Sequence, residues 1–337
     1  MKILVLGATG KLGCYSSLDL KRHGHEVIAV GRRHSDNGFF ADYGIEFIGD
    51  FDVCDKKMFE KLPTRIDGVV NMAGAMPAHS GIDPNQYVNS IVNGTVNILE
   101  WMRVGDCRRI IFNTTPSDVC AYFGKPIPVD DDALRSFPKD GGDHAVYAIC
   151  KNAAVDILEH YKIAYGFKPC VFRHLTVYGW SYGKPFVLNG QVKKSAMWVL
   201  YERCIKGEEI EVWGDPTVKK ELLYIDDFTE AICKAIEHKE ACGIFNLPGD
   251  RPYTLEEQID GIISAYCPKN SQIKKVYCPS KPSSPQNLLC GEKAYSALGW
   301  KAQISWPEAC KRTAIAARNN IFEKIWGKPP LAIIPQE

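Results

Sequence analysis

Tyr147 and Lys151 lie four residues apart in the segment Y-A-I-C-K and are well suited to proton chemistry. At that spacing the two side chains lie on one face of an α-helix. A phenol can donate or accept a proton, although its ordinary pKa of about 10 is high for work at neutral pH. A neighbouring ammonium group favours the phenolate and lowers that pKa. The pair therefore predicts an acid–base site on a helix.

A glycine-rich loop, G-A-T-G-K-L-G, spans residues 7–13 and follows the apolar run 3–6. A helix-like stretch then continues to about Gly24. Glycines in such a strand–turn–helix unit let the backbone approach a pyrophosphate at the helix N-terminus. The loop therefore predicts a dinucleotide site. The loop residues expected to contact the dinucleotide are Gly7, Thr9, Gly10, Lys11, Leu12 and Gly13.

The end of the second apolar run, 26–30, is expected to select the dinucleotide. An acidic side chain at that point accepts hydrogen bonds from a ribose 2′-hydroxyl, whereas an arginine suits a 2′-phosphate. This chain has Gly31-Arg32-Arg33 and no acid there. A guanidinium can pair with the phosphate through two hydrogen bonds. NADP(H) is therefore favoured over NAD(H), and the alternative for one of the two arginines is a solvated basic turn.

The elements that must position these residues alternate between strands and helices over the first 175 residues. Helical periodicity runs from Val88 to Met102 and from Cys150 to Tyr165. The apolar runs that predict buried parallel strands lie at 3–6, 26–30, 45–48, 67–72, 108–113 and 169–175. This alternation predicts an α/β fold, a Rossmann-type doubly wound parallel sheet with helices on both faces.

Further motifs resemble those of the extended short-chain dehydrogenase/reductase family of NAD(P)-dependent sugar-nucleotide epimerases, dehydratases and reductases. Residues 173–179 resemble its R-x-x-N-V-Y-G signature, residues 223–227 its F-V-Y-V-D-D signature, and residues 298–300 its L-G-W signature. Residues 71–74 resemble the family's segment after the fourth strand, and residues 93–100 its following helix. The resemblance covers almost the whole chain and is not specific for one substrate.

The resemblance implies a small mixed α/β C-terminal substrate domain beside the sheet domain. The dinucleotide-binding domain is expected over residues 1–178, with residues 213–240 returning to it. The substrate-binding domain is expected over residues 179–212 and 241–325. Residues 326–337 are rich in proline and are predicted to form a loosely held tail.

The resemblance also implies catalytic roles. Tyr147 would be the acid/base, Lys151 would bond the nicotinamide ribose, and Thr115 would bond the reacting hydroxyl or carbonyl. Thr114 is the alternative to Thr115, because a misplacement by one residue is possible. The chain departs from the family at residues 116–121, where P-S-D-V-C-A replaces the usual S-x-x-V-Y-G. It also lacks the Asp-Glu pair of sugar-nucleotide 4,6-dehydratases, so that activity is disfavoured.

Further contacts are implied on both sides of the site. The additional cofactor contacts are Asp50, Phe51, Ala73, Gly74 and His174, where an ordinary loop aspartate is the alternative for Asp50. The candidate substrate contacts are Ser117, His144, Thr176, Trp213 and Lys220. Lys220 stands where the family places an arginine that pairs with the substrate diphosphate, and Thr176 stands where it places an asparagine. A lysine still neutralises a diphosphate, but without a bidentate fork.

Three functions remain open from the sequence. The first is an NAD(P)-dependent enzyme that transfers hydride to or from a sugar carbon of a nucleoside-diphosphate sugar, as a 4-epimerase or a 4-keto reductase. The second is an NADPH-dependent reductase or dehydrogenase of a non-nucleotide carbonyl or alcohol. The third is a non-catalytic dinucleotide sensor or scaffold, and the intact Tyr147–Lys151 pair argues against it.

Composition excludes several other classes of protein. A net charge of +1 over 337 residues shows no excess of basic residues of the kind that binds nucleic acid. No apolar run approaches the roughly 20 residues that span a bilayer, and no signal peptide is evident, so a cytoplasmic protein is expected. The 13 cysteines form no C-x-x-C pair, so reduced thiols and no metal site are predicted. The family resemblance further implies a homodimer, formed by the helices that contain residues 93–100 and 147–165.

Overall fold

A computed structural model of the chain describes residues 1–77, 83–138, 143–181, 186–188, 191–268, 271–282 and 284–329. The strands are β1 Lys2–Leu6, β2 Glu26–Val30, β3 Glu46–Ile48, β4 Gly68–Asn71, β5 Arg109–Asn113, β6 Lys168–His174, β7 Val177–Tyr178, β8 Phe186–Leu188, β9 Gln191–Lys193, β10 Ile210–Trp213, β11 Lys219–Glu221, β12 Leu223–Tyr224, β13 Gly243–Leu247, β14 Pro252–Thr254 and β15 Lys275–Cys278. The α-helices are α1 Lys11–Arg22, α2 Pro84–Tyr87, α3 Gly94–Val104, α4 Asp143–Tyr165, α5 Ala196–Lys206, α6 Ile225–Glu237, α7 Leu255–Tyr266, α8 Glu292–Leu298, α9 Trp306–Asn319 and α10 Glu323–Trp326.

Short helical turns of other types complete the secondary structure. The 3₁₀ turns are Ala41–Tyr43, Lys56–Lys61 and Pro116–Tyr122, and a π-helical segment, Val88–Asn93, joins α2 to α3.

A seven-stranded parallel sheet with the order β13-β6-β5-β4-β1-β2-β3 forms the centre of the molecule. Alternate residues of β1 enter different cores, because Ile3 and Val5 pack on one face and Leu4 and Leu6 on the other. Helices cover both faces, and this explains why the strand sequences read as continuous apolar runs. The strand order reverses between β1 and β4, and ligands of such sheets bind at the carboxyl ends of the strands beside that reversal.

The predicted fold class is confirmed. Each of the six apolar runs became a strand whose ends lie within one residue of the prediction. The domain division is wrong for residues 243–247, which were assigned to the substrate-binding domain. They form β13, which pairs with β6 in parallel at the edge of the large sheet. The reason is that G-I-F-N-L supplies an apolar strand that extends the buried sheet beyond β6.

Smaller elements lie outside the large sheet. They include two-stranded pairs of β10 with β15, β11 with β14, β12 with β7 and β8 with β9. Helices α5 and α7 pack together, and their tyrosines Tyr201 and Tyr266 stack with ring centroids 4.3 Å apart. Tyr178, at the end of β7, packs edge-on against Trp306 of α9. These aromatic residues belong to the same hydrophobic core as one face of the large sheet.

The prediction of a loose tail from residue 326 is wrong for its first residue. Trp326 ends α10 and stacks on Phe322, with ring centroids 4.3 Å apart. Residues 330–337 of the predicted tail lie outside the described residues. Across the described ranges, none of the helices is long and apolar enough to cross a membrane.

Candidate active site

The loop between β1 and α1 has room for backbone but not for side chains. Gly7 adopts a left-handed conformation with φ of 76°, and a Cβ there would lie 2.7 Å from the carbonyl group of Met72. A Cβ on Gly13 would lie 2.4 Å from the Gly7 carbonyl oxygen. Helix α1 begins after Gly10, which has no side chain to cap it. The first N–H groups of α1 therefore suit an anionic ligand such as a pyrophosphate.

Two adjoining cavities form a cleft at the carboxyl ends of β1 and β4. Their volumes are about 820 Å³ and about 600 Å³. The residues that line both are Gly7, Gly10, Met72, Ala73, Gly74 and Ala75. The larger cavity also contains Thr9, and the smaller one contains Lys11, Leu12 and Gly13. All the loop residues predicted to contact a dinucleotide therefore line one continuous cleft. The cleft lies at the carboxyl ends of the strands beside the reversal of strand order, where sheets of this kind bind ligands.

The arginines after β2 differ in their contacts. Both line the larger cavity. Arg32 is exposed and forms no hydrogen bond or ion pair with any residue that the structure describes. Arg33 donates a hydrogen bond from Nη1 to the carbonyl oxygen of Ile325. Arg32 is therefore the arginine available to a phosphate, while Arg33 holds the C-terminal helix.

The two cofactor contacts predicted after β3, Asp50 and Phe51, differ in position. Asp50 has a left-handed backbone, with φ of 50°, and its Oδ2 lies 2.6 Å from Nδ1 of the His34 ring. Phe51 and Asp52 line the larger cavity, whereas Asp50 does not. Sequence reasoning missed Asp52, although it directly follows the predicted pair.

Tyr147 and Lys151 lie in the smaller cavity, on the face of α4 that turns toward β5. The Tyr147 side chain is 7% exposed, and its Oη lies 3.8 Å from Sδ of Met76. The Lys151 ammonium donates a 2.8 Å hydrogen bond to the carbonyl oxygen of Asn113 and lies 5.8 Å from the centre of the Tyr147 ring. The carbonyl at the end of β5 therefore fixes the lysine beside the tyrosine.

Burial dominates the electrostatics of this pair. It raises the pKa of Tyr147 to about 12, with a further upward contribution from Tyr87. It lowers the pKa of Lys151 to about 7. The sequence predicts that Lys151 together with the positive charge of a bound nicotinamide lowers the pKa of Tyr147, whereas the protein groups by themselves raise it. The depth of burial outweighs the attraction of a lysine that itself loses charge near neutral pH.

Thr115 and Thr114 both line the smaller cavity but have different partners. The Thr114 hydroxyl lies 3.3 Å from a carboxylate oxygen of Asp118, to which it donates. Asp118 is fully buried and pairs with the guanidinium of Arg173 at 2.8 Å. The Thr115 Oγ1 accepts a 3.2 Å hydrogen bond from the backbone N–H of Ser117 and so caps the 3₁₀ turn that follows. This leaves the Thr115 hydroxyl proton available to a ligand oxygen.

His174 contributes an unpaired acceptor to the smaller cavity. Its Nδ1 lies 2.6 Å from the carbonyl oxygen of Leu175, which assigns the ring proton to Nδ1. Its Nε2 is buried without a hydrogen-bond partner. Burial lowers the pKa of the ring to about 4, so the imidazole is neutral. A dinucleotide fits these residues, because its polar groups would satisfy this acceptor and its pyrophosphate would meet the glycine loop.

The candidate substrate residues divide between two cavities. Ser117, His144 and Thr176 line the smaller cavity together with the catalytic candidates. Trp213 and Lys220 line a separate cavity of about 400 Å³. There the Lys220 ammonium is half-buried and its pKa is lowered by burial.

That third cavity combines cations with an exposed ring. Arg203 of α5 lines it beside Lys220, and sequence reasoning missed this arginine because helical periodicity alone does not show which cavity a polar side chain enters. The Trp213 ring is 46% exposed, and its Nε1 donates a 2.7 Å hydrogen bond to Glu211. Such a cavity can hold an anionic group and a flat aromatic group together.

The C-terminal helix α10 closes over the glycine loop from outside. The indole N–H of Trp326 donates a 3.0 Å hydrogen bond to the Thr9 carbonyl oxygen. Phe322 packs on Tyr15 of α1, with ring centroids 4.7 Å apart. Asn37, in the loop after β2, donates a 2.8 Å hydrogen bond to the Lys324 carbonyl oxygen. Both the glycine loop and the segment after β2 therefore contact the C-terminal helix.

Comparison with known proteins places these features in context. Residues 3–247 match the model of the NAD dependent epimerase/dehydratase family. A putative UDP-glucose 4-epimerase from Methanocaldococcus jannaschii is 23% identical over 94% of this chain and 99% of its own length. A UDP-glucuronate 4-epimerase from Thermodesulfobacterium geofontis is 27% identical over 76% of this chain and 74% of its own.

Solved structures share the fold. The UDP-glucose 4-epimerase of Thermotoga maritima, solved with UDP-glucose, has a TM-score of 0.73 at 23% identity and covers 95% of this chain and 100% of its own. The UDP-glucuronic acid 4-epimerase of Bacillus cereus, solved in complex with NAD, has a TM-score of 0.71 at 19% identity. The match covers 97% of this chain and 100% of its own.

Proposed function

We propose that this chain, which belongs to the NAD-dependent epimerase/dehydratase family, is a nucleotide-sugar 4-epimerase. One observation carries the proposal: Thr115, Tyr147 and Lys151 line a cavity that is continuous with the glycine-loop cleft. The named relatives include 4-epimerases of UDP-glucose and UDP-glucuronate, and this supports epimerisation over net reduction.

In the proposed reaction, Tyr147 removes the proton from the 4-hydroxyl of the sugar and later returns one to the 4-keto oxygen. Thr115 donates its free hydroxyl proton to the same oxygen and holds it in place. When bound, an oxidised nicotinamide would supply the hydride acceptor for C4 and, once reduced, the hydride donor. Rotation of the sugar between the two transfers exposes its other face and inverts the centre.

Lys151 positions the reacting groups. Its hydrogen bond to Asn113 holds the ammonium near the Tyr147 ring. Because burial and the neighbouring Tyr87 raise the pKa of Tyr147 to about 12, a positive charge inside the cavity would favour the phenolate. The oxidised nicotinamide carries such a charge, and bound phosphates would favour the charged form of Lys151.

The cavity that contains Arg203, Trp213 and Lys220 is proposed to hold the nucleoside diphosphate of the substrate. Its two cations suit a diphosphate, and the exposed Trp213 ring suits a flat base or a sugar face. Ser117, His144 and Thr176 are proposed to contact the sugar, because they share the cavity of the catalytic residues.

We propose NADP(H) as the preferred dinucleotide, since Arg32 lines the larger cavity and β2 ends without an acid. The related structure from Bacillus cereus holds NAD, so this preference requires a direct test. Residues 1–178, 213–240 and 243–247 are proposed to form the dinucleotide-binding part of the chain. A cytoplasmic location is proposed as well, supported by cysteines that are all free thiols.

A homodimer is proposed through α3 and α4. Val92, just before α3, and Val96, Ala153 and Ile157 are half-buried in the single chain, and Ile163 of α4 is 77% exposed. A two-fold pairing of these helices would cover them. Leu99 and Tyr161, on the same two helices, are already buried within one protomer. Light scattering at micromolar concentration tests the dimer, and a monomer would contradict it.

The function is tested by incubating the purified protein with UDP-glucose and, separately, with UDP-glucuronate, and following the sugars by NMR. The proposal expects the 4-epimer to accumulate to equilibrium with no net change in nicotinamide absorbance. Stoichiometric consumption of NADPH with a 4-keto sugar would instead identify a reductase. Turnover of non-nucleotide carbonyl compounds, with no binding of UDP at millimolar concentration, would contradict a nucleotide-sugar substrate.

A further inference from the structure

A cluster of metal-ligating side chains lies between α1 and α6. A carboxylate oxygen of Asp19, a ring nitrogen of His23 and the Sγ of Cys233 all lie within 4.8 Å of one another. Asp19 lies in the last turn of α1, and His23 is the residue that caps the C-terminal end of the same helix. Cys233 faces them from α6 and is fully buried. This cluster lies near His25, at the start of β2, whereas the dinucleotide cleft lies at the opposite ends of the strands.

Two glutamates of α6 extend the cluster. Oε2 of Glu230 lies 3.3 Å from Nε2 of His23. Oε1 of Glu237 lies 3.8 Å from Nδ1 of the same ring. Histidines that bind metals through one nitrogen commonly donate the other N–H to a carboxylate, which fixes the ring orientation. His23 therefore has a candidate ligand neighbour on one side and a candidate orienting carboxylate on the other.

The buried His25 side chain lies at the same place, beside Glu237. The His25 side chain is 7% exposed, and its buried Nε2 has no hydrogen-bond partner. That nitrogen lies 3.5 Å from Oε1 of Glu237, without hydrogen-bond geometry.

The local charge favours a cation. The carboxylates of Asp19, Glu230 and Glu237 all lie close enough to the Cys233 side chain to interact with it electrostatically. Two cations face the cluster: Arg22 lies 3.4 Å from Asp19, and Lys234 lies 3.7 Å from Glu230. The three carboxylates outnumber these two cations, so the local charge favours a bound divalent ion.

We propose that Asp19, His23 and Cys233 bind one Zn²⁺ ion that joins α1 to α6, with the Glu230 carboxylate beside the His23 ring. Carboxylate, imidazole and thiolate are all ligands of zinc, at about 2.0–2.3 Å from the metal. Tetrahedral bonds of that length place ligand atoms roughly 3.5 Å apart, so the side chains need to close by about 1 Å. His23 lies at the surface and can make that adjustment. The spacing of His23 and His25 in the sequence did not predict the site, because Cys233 is 210 positions away from His23.

The test uses the full-length protein after dialysis against a chelator. Zn²⁺ and Co²⁺ are titrated by calorimetry and absorbance, with the melting temperature recorded in parallel. One equivalent of metal, a thiolate-to-Co²⁺ charge-transfer band and a higher melting temperature with Zn²⁺ are expected. His23→Gln should lower the affinity at least tenfold, and its surface position makes misfolding a minor concern. Cys233→Ser should remove the charge-transfer band.

Matched controls separate this site from the other thiols and histidines. Cys310→Ser removes a buried thiol of α9, and His160→Gln removes an exposed histidine of α4. Both should bind metal as the wild-type protein does. Absence of stoichiometric binding would overturn the proposal. A charge-transfer band that persists in Cys233→Ser, or an affinity unchanged in His23→Gln, would overturn it equally.

Discussion

The indole N–H of Trp326 donates a 3.0 Å hydrogen bond to the carbonyl oxygen of Thr9, and this joins the C-terminal helix to the glycine loop across 317 positions of sequence. The same helix holds Arg33 through the Ile325 carbonyl. The geometry of the cleft on its dinucleotide side thus depends on a segment far from it in the chain.

Removing the Trp326 side chain should weaken dinucleotide binding. Trp326→Phe keeps a ring that can stack on Phe322 but loses the N–H donor, whose net contribution is about 0.5–1.5 kcal/mol. Trp326→Ala loses both and should weaken binding further. Calorimetric titration with NADH and NADPH measures the effect. Unchanged affinity in the alanine variant would show that the glycine loop keeps its shape without the C-terminal helix.

Arg32→Ala should cost about 1–3 kcal/mol of binding free energy toward NADPH and little toward NADH, as expected for the loss of a charged hydrogen bond. Arg33→Ala is the matched control. Because Arg33 bonds to the Ile325 carbonyl, its loss should affect both dinucleotides alike. Titration of both variants with both cofactors measures the difference. If wild-type protein binds NADH as tightly as NADPH, the preference for NADP(H) is wrong.

Lys220→Ala should weaken UDP binding while leaving NADPH binding unchanged, because Lys220 lines the third cavity and not the dinucleotide cleft. Lys220→Arg should preserve or strengthen UDP binding, since the guanidinium can form hydrogen bonds with two phosphate oxygens. Lys219→Ala is the control, because adjacent strand residues face opposite sides and Lys219 is exposed. Equal losses of UDP affinity in Lys219→Ala and Lys220→Ala would indicate non-specific electrostatic attraction and not a defined diphosphate site.

Glu221 should make the protein less stable as pH rises. Burial raises its pKa from the ordinary value of 4.5 to about 8, and its Oε2 has no hydrogen-bond partner. The folded state therefore keeps a proton that the unfolded state loses between about pH 4.5 and 8, so stability falls through that window and levels off above it. Glu221→Gln should remove this fall.

Urea unfolding at pH 5 and at pH 8.5 tests the assignment. The gain in the free energy of unfolding from Glu221→Gln should be small at the lower pH and reach a few kcal/mol at the higher one, at about 1.4 kcal/mol per pKa unit. Glu46→Gln, which changes an exposed glutamate, should show no such difference. A gain of equal size at both pH values would mean that Glu221 is ionised in the folded protein.

The sheet could be predicted from the sequence because strands buried on both faces leave continuous apolar runs, as in residues 108–113. The grouping of Thr115, Tyr147 and Lys151 followed from the family resemblance, and all three line one cavity. The Trp326–Thr9 contact could not be predicted, since no local pattern encodes a contact over that separation.

Other differences between the sequence-based predictions and the structure each have one local cause, either the backbone conformation or the burial of a residue. The left-handed turn at Asp50 directs that residue to His34, and Asp52 enters the cleft in its place. The pKa of Tyr147 depends on how deeply α4 is buried, which residue spacing does not show. Strand β13 has an ordinary strand sequence, and its place beside β6 is a tertiary feature.

The most direct test of the central claim is the rate of 4-epimerisation by Tyr147→Phe, which keeps the ring but has no transferable proton. On the nucleotide sugar that the wild-type enzyme converts, the rate should fall by about 10²–10⁴-fold, as for the loss of a general acid–base group. Dinucleotide affinity should stay near that of wild type, and Tyr165→Phe on the same helix should keep full activity. A Tyr147→Phe variant that epimerises at the wild-type rate would contradict the assignment of Tyr147 as the acid/base.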